Sequence, residues 1–323
     1  MNLAIIGSGK IVDDLFQFIG DLPAIHLTAI YGREKSLDKL KRMQLANHID
    51  RVFTDYDQLL ENENIDTLYI ALPNDLHFEY AKRGLEAGKH VIVEKPFVQT
   101  LDQFETLKAL ALVKHRHLYE AISNQYSPNF NMLKSWISKI APIHFSFLNY
   151  SQYSSRYDAF KQGEILPAFD SNRGGGALQD LNIYNIHVLV GLFGKPEAIR
   201  YLPNMAKGVD TSGILTLKYH EAIGSAFAGK DVVSIQQSNS VIEGEQGYIK
   251  IESPSNELAD ISLVGSESQT ETLHTAKHRM YYEFETFEKS IREDDYVLMS
   301  EMLNHTQAVL EVLETAKKFT LTL

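Results

Sequence analysis

No cysteine occurs among the 323 residues, which excludes disulfides, thiolate nucleophiles and Cys-ligated zinc or iron-sulfur clusters. Basic residues are in deficit: 31 Lys and Arg stand against 42 Asp and Glu, a formal charge of -11. The one basic cluster of note, Lys39-Leu40-Lys41-Arg42, lies in a helical pattern, so nucleic acid is not expected as a partner. No run approaches the roughly 18 consecutive apolar residues that cross a bilayer. From Met1 the chain passes directly into Leu3-Ala4-Ile5-Ile6, without the basic segment, apolar core or small-residue cleavage site of an export signal. The expectation is a soluble, cytoplasmic protein with no membrane association. The 12 histidines are scattered without metal-ligand spacing, and no metal site is expected.

What is present is enough apolar material, 44% of the chain, to bury a sizeable core, and a length that suits two domains. Up to about residue 120, short apolar runs alternate with amphipathic stretches. Strands are predicted at Leu3–Ile6, His26–Tyr31, Thr67–Leu72, His90–Glu94 and His117–Ile122, and helices at Lys10–Ile19, Leu37–Ala46, Tyr56–Glu61, Leu76–Ala87 and Leu101–Val113. Repeated βαβ units force a parallel sheet covered on both faces. After residue 122 the rhythm changes. A helix near Asn129–Ser138, a long strand Ile143–Tyr150, a polar loop and a further helix lead into successive strand signals between Ile199 and Val264, and helices at 279–293 and 299–318 close the chain. The expected class is α/β: a doubly wound domain over 1–121, then an α+β domain over 122–323 with a large, mostly antiparallel open sheet.

Gly7-Ser8-Gly9-Lys10-Ile11-Val12 follows the first strand and opens the first helix. Gly7 permits the tight turn, Gly9 lets the backbone approach a pyrophosphate, and Ser8, Lys10 and Ile11 lie where helix N-terminal amides can bind it; two glycines in such a turn can be merely structural, and it is the βαβ context that favours the phosphate turn of a dinucleotide-binding Rossmann domain. Val12 stands where that fingerprint has Gly or Ala. The second strand ends in Tyr31-Gly32-Arg33-Glu34-Lys35, without the acid at Tyr31 that would bind the 2′-hydroxyl of NAD. Arg33 and Lys35 suit a 2′-phosphate, which favours NADP over NAD. The alternative is that both are solvated and Glu34 takes the ribose.

Two further segments add chemistry: Pro73-Asn74-Asp75-Leu76-His77 with Ala87-Gly88-Lys89-His90-Val91 to Glu94-Lys95-Pro96, and Gly174-Gly175-Gly176-Ala177-Leu178-Gln179-Asp180-Leu181-Asn182-Ile183-Tyr184. On these residues, over nearly its whole length, the chain resembles the glucose-fructose oxidoreductase, inositol dehydrogenase and MocA family. Pro73, Asn74 and His77 match its Pro-Asn-x-x-His, and Glu94-Lys95-Pro96 its Glu-Lys-Pro. The resemblance implies cofactor contacts from Pro73, Asn74, His77, Glu94 and Lys95. It puts Lys95 beside nicotinamide and substrate, with a cis bond to Pro96. Asp180 and Tyr184 fall on the motif Gly-Gly-Gly-x-Leu-x-Asp-x-Gly-x-(His or Tyr), in which Asn182 replaces a glycine close to the pocket. Tyr at the last position resembles the glucose-fructose oxidoreductase and dihydrodiol dehydrogenase branches, where it is the acid/base. Gln125-Tyr126-Ser127-Pro128 replaces the family's Arg-Phe-x-Pro, which argues against a strongly anionic substrate.

Asp180 and Tyr184, four residues apart, share one face of a helix. A phenol titrating near ~10 is a poor base at neutral pH, and an ammonium such as that of Lys95 favours its ionised form. Tyr184 then exchanges a proton with the substrate oxygen while hydride moves to or from the nicotinamide. The bland readings stay open. Tyr184 can be a core tyrosine, Lys95 a surface cation, His187 a pocket residue or one packed on the sheet, and Tyr153, Arg156 and Arg173 substrate contacts or solvated loop groups. The expected activity is NAD(P)-dependent oxidation or reduction of a small sugar, polyol, dihydrodiol or dicarbonyl. A non-catalytic dinucleotide-binding regulator and a hydrolase or lyase using NAD internally are the alternatives. Leu215, Leu217 and Tyr219 alternate with Thr216 and Lys218, and this apolar strand face permits a homodimer or higher homo-oligomer.

Overall fold

The computed structural model describes residues 1–233, 240–265, 270–274 and 277–318. The chain divides into two compact units, one of Met1–Ala121 with Glu283–Asn304 and one of Ile122–Tyr282 with His305–Leu323.

The first unit runs β1 (Asn2–Ile6), α1 (Lys10–Leu15), β2 (His26–Tyr31), α2 (Leu37–Ala46), β3 (Arg51–Phe53), α3 (Tyr56–Leu60), β4 (Thr67–Ile70), α4 (His77–Glu86), β5 (His90–Glu94), α5 (Leu101–Lys114) and β6 (Leu118–Ala121). The six strands are parallel in the order β3-β2-β1-β4-β5-β6. Leu3 to Ile6, Leu68 to Ile70 and Val91 to Val93 are fully buried, as strands covered on both faces must be. The order reverses between β1 and β4, so the crevice for a ligand lies beyond the carboxyl ends of those two strands. Strand β3 was not expected from the sequence. Three residues, none of them fully buried, carry too little periodicity to be seen.

The expectation that 122–323 forms one second domain is corrected by the return of Glu283–Asn304 to the first unit. The reason is aromatic. Phe284 packs on Phe18 and Tyr69 with ring centroids at 5.8 and 5.1 Å, Phe287 stacks on Tyr119 at 4.9 Å, and Tyr119 Oη lies 2.5 Å from Ser290 Oγ.

The second unit contains α6 (Ser123–Tyr126), α7 (Pro128–Ile140), β7 (Ile143–Ser151), α8 (Tyr157–Lys161), α9 (Ile183–Phe193), β8 (Ala198–Ala206), β9 (Val209–Lys218), β10 (Ile223–Gly229), β11 (Ser240–Gly244), β12 (Gly247–Ile251), β13 (Asp260–Gly265) and β14 (Thr270–His274). Two helices follow in the chain, α10 (Tyr281–Arg292) and α11 (Tyr296–Lys318). Its eight strands are ordered β14-β13-β12-β11-β7-β10-β9-β8, with β7 and β10 parallel and the other described pairs antiparallel. β8 carries Pro203, which an edge strand tolerates because its outer side needs no donor.

One face of this sheet is covered by α7 and α9. It buries Leu148, Leu215, Leu217, Ala226, Ile242, Ile249 and Ile261 with Phe130, Trp136, Ile186 and Leu189. The residues expected to form an interface, Leu215, Leu217 and Tyr219, therefore belong to the unit's own core. Alternation identified which residues share a face but not which face the helices cover. On the opposite face Phe145, Phe147, Leu202, Ile214, Ile223 and Tyr248 are each between 38% and 46% exposed. Among the described residues no helix is long and apolar enough to cross a membrane.

Candidate active site

In the first unit the chain leaves β1 at Gly7, whose φ of +129° belongs to glycine and whose N–H donates to Tyr31 O at 2.9 Å. A Cβ there would sit 2.3 Å from Ala71 O, so no other residue fits between β1 and β4. Gly9 is the N-cap of α1, and a Cβ on it would meet nothing within 4 Å. Open space at Gly9, beside helix-start amides that lack intrahelical partners, fits a pyrophosphate. Ser8 is half-buried, Lys10 exposed and Ile11 half-buried at the same turn. Val12 is fully buried beneath it, so the departure from the glycine fingerprint is absorbed by the core.

At the end of β2 the Tyr31 hydroxyl lies 3.1 Å from that of Tyr80, and the rings of Tyr31, Tyr56 and Tyr80 pack together at 4.6 to 5.9 Å. Burial pushes the Tyr31 phenol above its usual range, so it stays neutral. No carboxylate stands at this position to accept from a ribose 2′-hydroxyl. Arg33 is exposed just beyond it, and the Lys39 ammonium of α2 donates to Ser8 O in the glycine turn. This collection of cations fits a 2′-phosphate.

Pro73 and half-buried Asn74 open the turn between β4 and α4. His77, expected as a cofactor contact, lies in the interior. It is wholly buried, with Nε2 at 2.8 Å from Leu72 O and Nδ1 at 2.9 Å from Pro96 O. Burial holds its pKa below the usual imidazole value against the pull of those carbonyls. His77 thus supports the turn from beneath. The Lys95–Pro96 bond is cis. Phe97 N donates to buried Glu120 Oε1 at 3.1 Å, so the backbone just past Lys95 is held by His77 on one residue and Glu120 on the next. Glu94 is also turned inward, accepting from Tyr69 Oη at 2.5 Å. Lys95 itself is half-buried at the carboxyl end of β5. Glu120 escaped the sequence reading because a carboxylate on a buried strand has no motif around it.

In the second unit the glycine-rich turn is dictated by space. A Cβ on Gly175 would lie 2.6 Å from Pro167 O, and one on Gly176, at φ +114°, 2.0 Å from Asp210 Oδ1. Asp210 accepts from Leu178 N at 2.7 Å and from Tyr201 Oη at 2.6 Å, and burial pushes its carboxyl up from the ordinary range. Leu178–Asn182 then winds as a π-helix before α9 begins. The expectation that Asp180 and Tyr184 lie on one regular α-helix is corrected accordingly: Asp180 belongs to the π turn and Tyr184 to the first α turn after it. Asp180 Oδ2 is 2.7 Å from the ammonium of Lys230, whose side chain is 2% exposed. Tyr184 is 5% exposed, edge-on to Tyr150 at 5.6 Å.

Asn182 is fully buried, donating to Ala226 O at 3.1 Å and accepting from Asn185 Nδ2 at 2.9 Å. The residue that replaces the family's glycine thus ties the π turn to β10. His187 lies in the core with Nδ1 2.9 Å from His305 Nε2 of α11, and Tyr153 donates to Asp158 at 2.7 Å in an exposed cluster with Lys161. Arg156 is exposed and Arg173 half-buried. Lys230 and Asp210 were not found from the sequence: each is a single charge in or beside a strand, at no telling distance from the glycine segment.

Residues 1–121 match the model of an oxidoreductase family with an NAD-binding Rossmann fold. Over 322 residues the chain is 30% identical to the scyllo-inositol 2-dehydrogenase (NADP(+)) IolU of Bacillus subtilis, a match covering 98% of this chain and 96% of that protein. It is 24% identical over 276 residues to the trans-1,2-dihydrobenzene-1,2-diol dehydrogenase of Xenopus tropicalis, covering 84% and 82%. Its fold resembles that of a 3-ketoreductase from Actinomadura kijaniata crystallised with NADP and TDP-benzene, with a TM-score of 0.85, 20% identity and coverage of 99% and 98%. That enzyme has also been crystallised with a lysine replaced by alanine and with a tyrosine replaced by phenylalanine.

Proposed function

Because the chain belongs to the glucose-fructose oxidoreductase, inositol dehydrogenase and MocA family of NAD(P)-dependent oxidoreductases, we propose that it acts with NADP(H) on a neutral polyol or sugar, with Lys95 and Tyr184 at the reacting oxygen. The observation that carries this reading is the edge of the six-stranded sheet. The open glycine turn after β1, the Asn74 turn after β4 and the clamped Lys95 turn after β5 gather at the carboxyl ends of adjacent strands. The relative that oxidises scyllo-inositol with NADP(+) supports the substrate class and the cofactor preference, as does the absence of an acid at Tyr31. The lysine and tyrosine variants of the ketoreductase support the choice of residue types.

When bound, the nicotinamide supplies the hydride acceptor or donor. In oxidation, Tyr184 takes the proton of the substrate hydroxyl as the carbon gives up its hydride. In reduction it returns that proton to the new alkoxide. The Lys95 ammonium favours the ionised phenol and polarises a carbonyl oxygen. Asp180 accepts from a second hydroxyl and fixes which carbon reacts. His77 and Glu120 position Lys95 through the backbone of Pro96 and Phe97.

The protein acts as a homodimer or higher homo-oligomer formed through the open sheet face that carries Phe145, Phe147, Ile214 and Ile223. The test of function is NADP(+)-dependent turnover of scyllo-inositol, D-xylose and trans-dihydrobenzenediol, with NADPH binding followed by fluorescence. Turnover of any of them that is lost in Lys95→Ala and Tyr184→Phe supports the reading. Tight NADPH binding without turnover favours the regulator.

A further inference from the structure

The second unit buries a lysine that the proposed reaction does not use. Lys230 follows β10, and its backbone is pinned on both sides: its N–H donates to Thr211 O at 2.8 Å, and its carbonyl accepts from Ser154 N at 2.8 Å. The side chain is 2% exposed and crosses the ring of Phe169 with Nζ 4.9 Å from the centroid. The ammonium donates to Ala168 O at 2.6 Å and meets Asp180 Oδ2 at 2.7 Å.

The pair is lopsided. Its cation is enclosed, while the Asp180 side chain is 32% exposed. Stability alone does not call for such a pair, because replacing a buried ion pair by apolar residues of similar volume is often neutral or favourable. What the arrangement does supply is an immobile positive charge behind a part-exposed carboxylate in the middle of the π turn, four residues before Tyr184. The ammonium, itself anchored on Ala168 O, holds one oxygen of that carboxylate in place.

We infer that Lys230 is a positioning residue that holds Asp180 as a fixed, ionised acceptor for a substrate hydroxyl. The inference rests on the proposed role of Asp180. It also gives the second unit a selectivity: a substrate hydroxyl placed against Asp180 meets an acceptor of fixed position, and an anionic substrate group meets a carboxylate there.

The test compares wild type, Lys230→Met, Lys230→Arg, Asp180→Asn and the double variant Asp180→Asn/Lys230→Met, using the member of the polyol panel that turns over fastest. An opposite charge within a few ångströms lowers an Asp pKa by about 1–3 units. Lys230→Met should therefore move the acid limb of kcat/KM to higher pH by about one unit or more. Its kcat/KM at neutral pH should fall by at least about tenfold, the lower end of what outer-shell partners contribute elsewhere. Its NADPH affinity should be unchanged, and Lys230→Arg should restore the profile. In the Asp180→Asn background the Lys230→Met change should have no further effect on kcat/KM.

A folded Lys230→Met protein with an unmoved pH profile overturns the inference and leaves the proposed function standing. If Lys230→Met does not fold, the double variant decides, since it removes both charges together. A kcat/KM below that of Asp180→Asn alone then overturns the inference. Wild-type protein that binds NADPH but turns over no member of the panel overturns the proposed function first, and the inference with it.

Discussion

Lowering the pH from 7.5 to 5 should remove stability through imidazoles that cannot take up a proton without leaving the core. His77 is wholly buried in the first unit, and burial pushes its pKa down. In the second unit burial and the neighbouring His187 push His305 down to about 2. Unfolded, both titrate near ~6.5. The sign follows from linkage. Above pH ~6.5 both states are neutral and the full stability is present; below it the unfolded chain binds protons that the folded chain refuses, and stability is lost as pH falls. A group that stays neutral in the folded chain contributes about 1.4 kcal/mol per pH unit, so between pH 6.5 and 5 His305 should remove ~2 kcal/mol from the second unit, and His77 adds a loss of the same sign in the first. His90, pushed down to about 4 by burial and by His117 beside it, adds to the loss in the first unit. Against total stabilities of about 5–15 kcal/mol these are large fractions. The assay is urea denaturation at pH 7.5, 6.5, 5.5 and 5.0, with His305→Gln as control. That variant should lose the second unit's share of the slope. A transition midpoint that does not move between pH 7.5 and 5.0 would show that these imidazoles protonate in the folded chain as readily as in the unfolded one.

Three further outcomes are expected. Gly7→Ala forces a Cβ to within 2.3 Å of Ala71 O at a φ that disfavours side chains, and should abolish NADPH binding measured by fluorescence. Glu120→Gln weakens the acceptor that holds Phe97 N, so kcat should fall about tenfold while NADPH affinity stays within twofold, measured by steady-state kinetics and titration. Phe147→Asp places a charge at the centre of the open sheet face and should convert the oligomer to monomer in light scattering; a wild type that is already monomeric at micromolar concentration contradicts the interface.

The first unit was legible because its chemistry is local. Buried parallel strands such as His90–Glu94 read as continuous apolar runs, and Gly7 and Gly9 fall where a strand meets a helix. The return of α10 to that unit was not legible, since an amphipathic pattern with Phe284 and Phe287 says that a face is buried and not against which body. The same limit explains Leu215 and Leu217. The site divides in the same way. Gly174 to Tyr184 and Glu94 to Pro96 announce themselves as contiguous motifs. Glu120, Asp210 and Lys230 act through contacts over 23, 32 and 50 residues of chain, which no spacing rule reaches. The π turn was also invisible, because it differs from an α turn by one residue in a hydrogen-bonded ring.

Direct transfer of hydride between the nicotinamide and a polyol carbon is tested by mass spectrometry of the cofactor after incubation of NADP(+) with carbon-deuterated scyllo-inositol or D-xylose. Wild-type protein should yield deuterated NADPH, and Lys95→Ala and Tyr184→Phe should form it at least about 100-fold more slowly while still binding NADPH. Reduced cofactor without deuterium would exclude direct hydride transfer, and deuterium transfer undiminished in both variants would exclude Lys95 and Tyr184 from it.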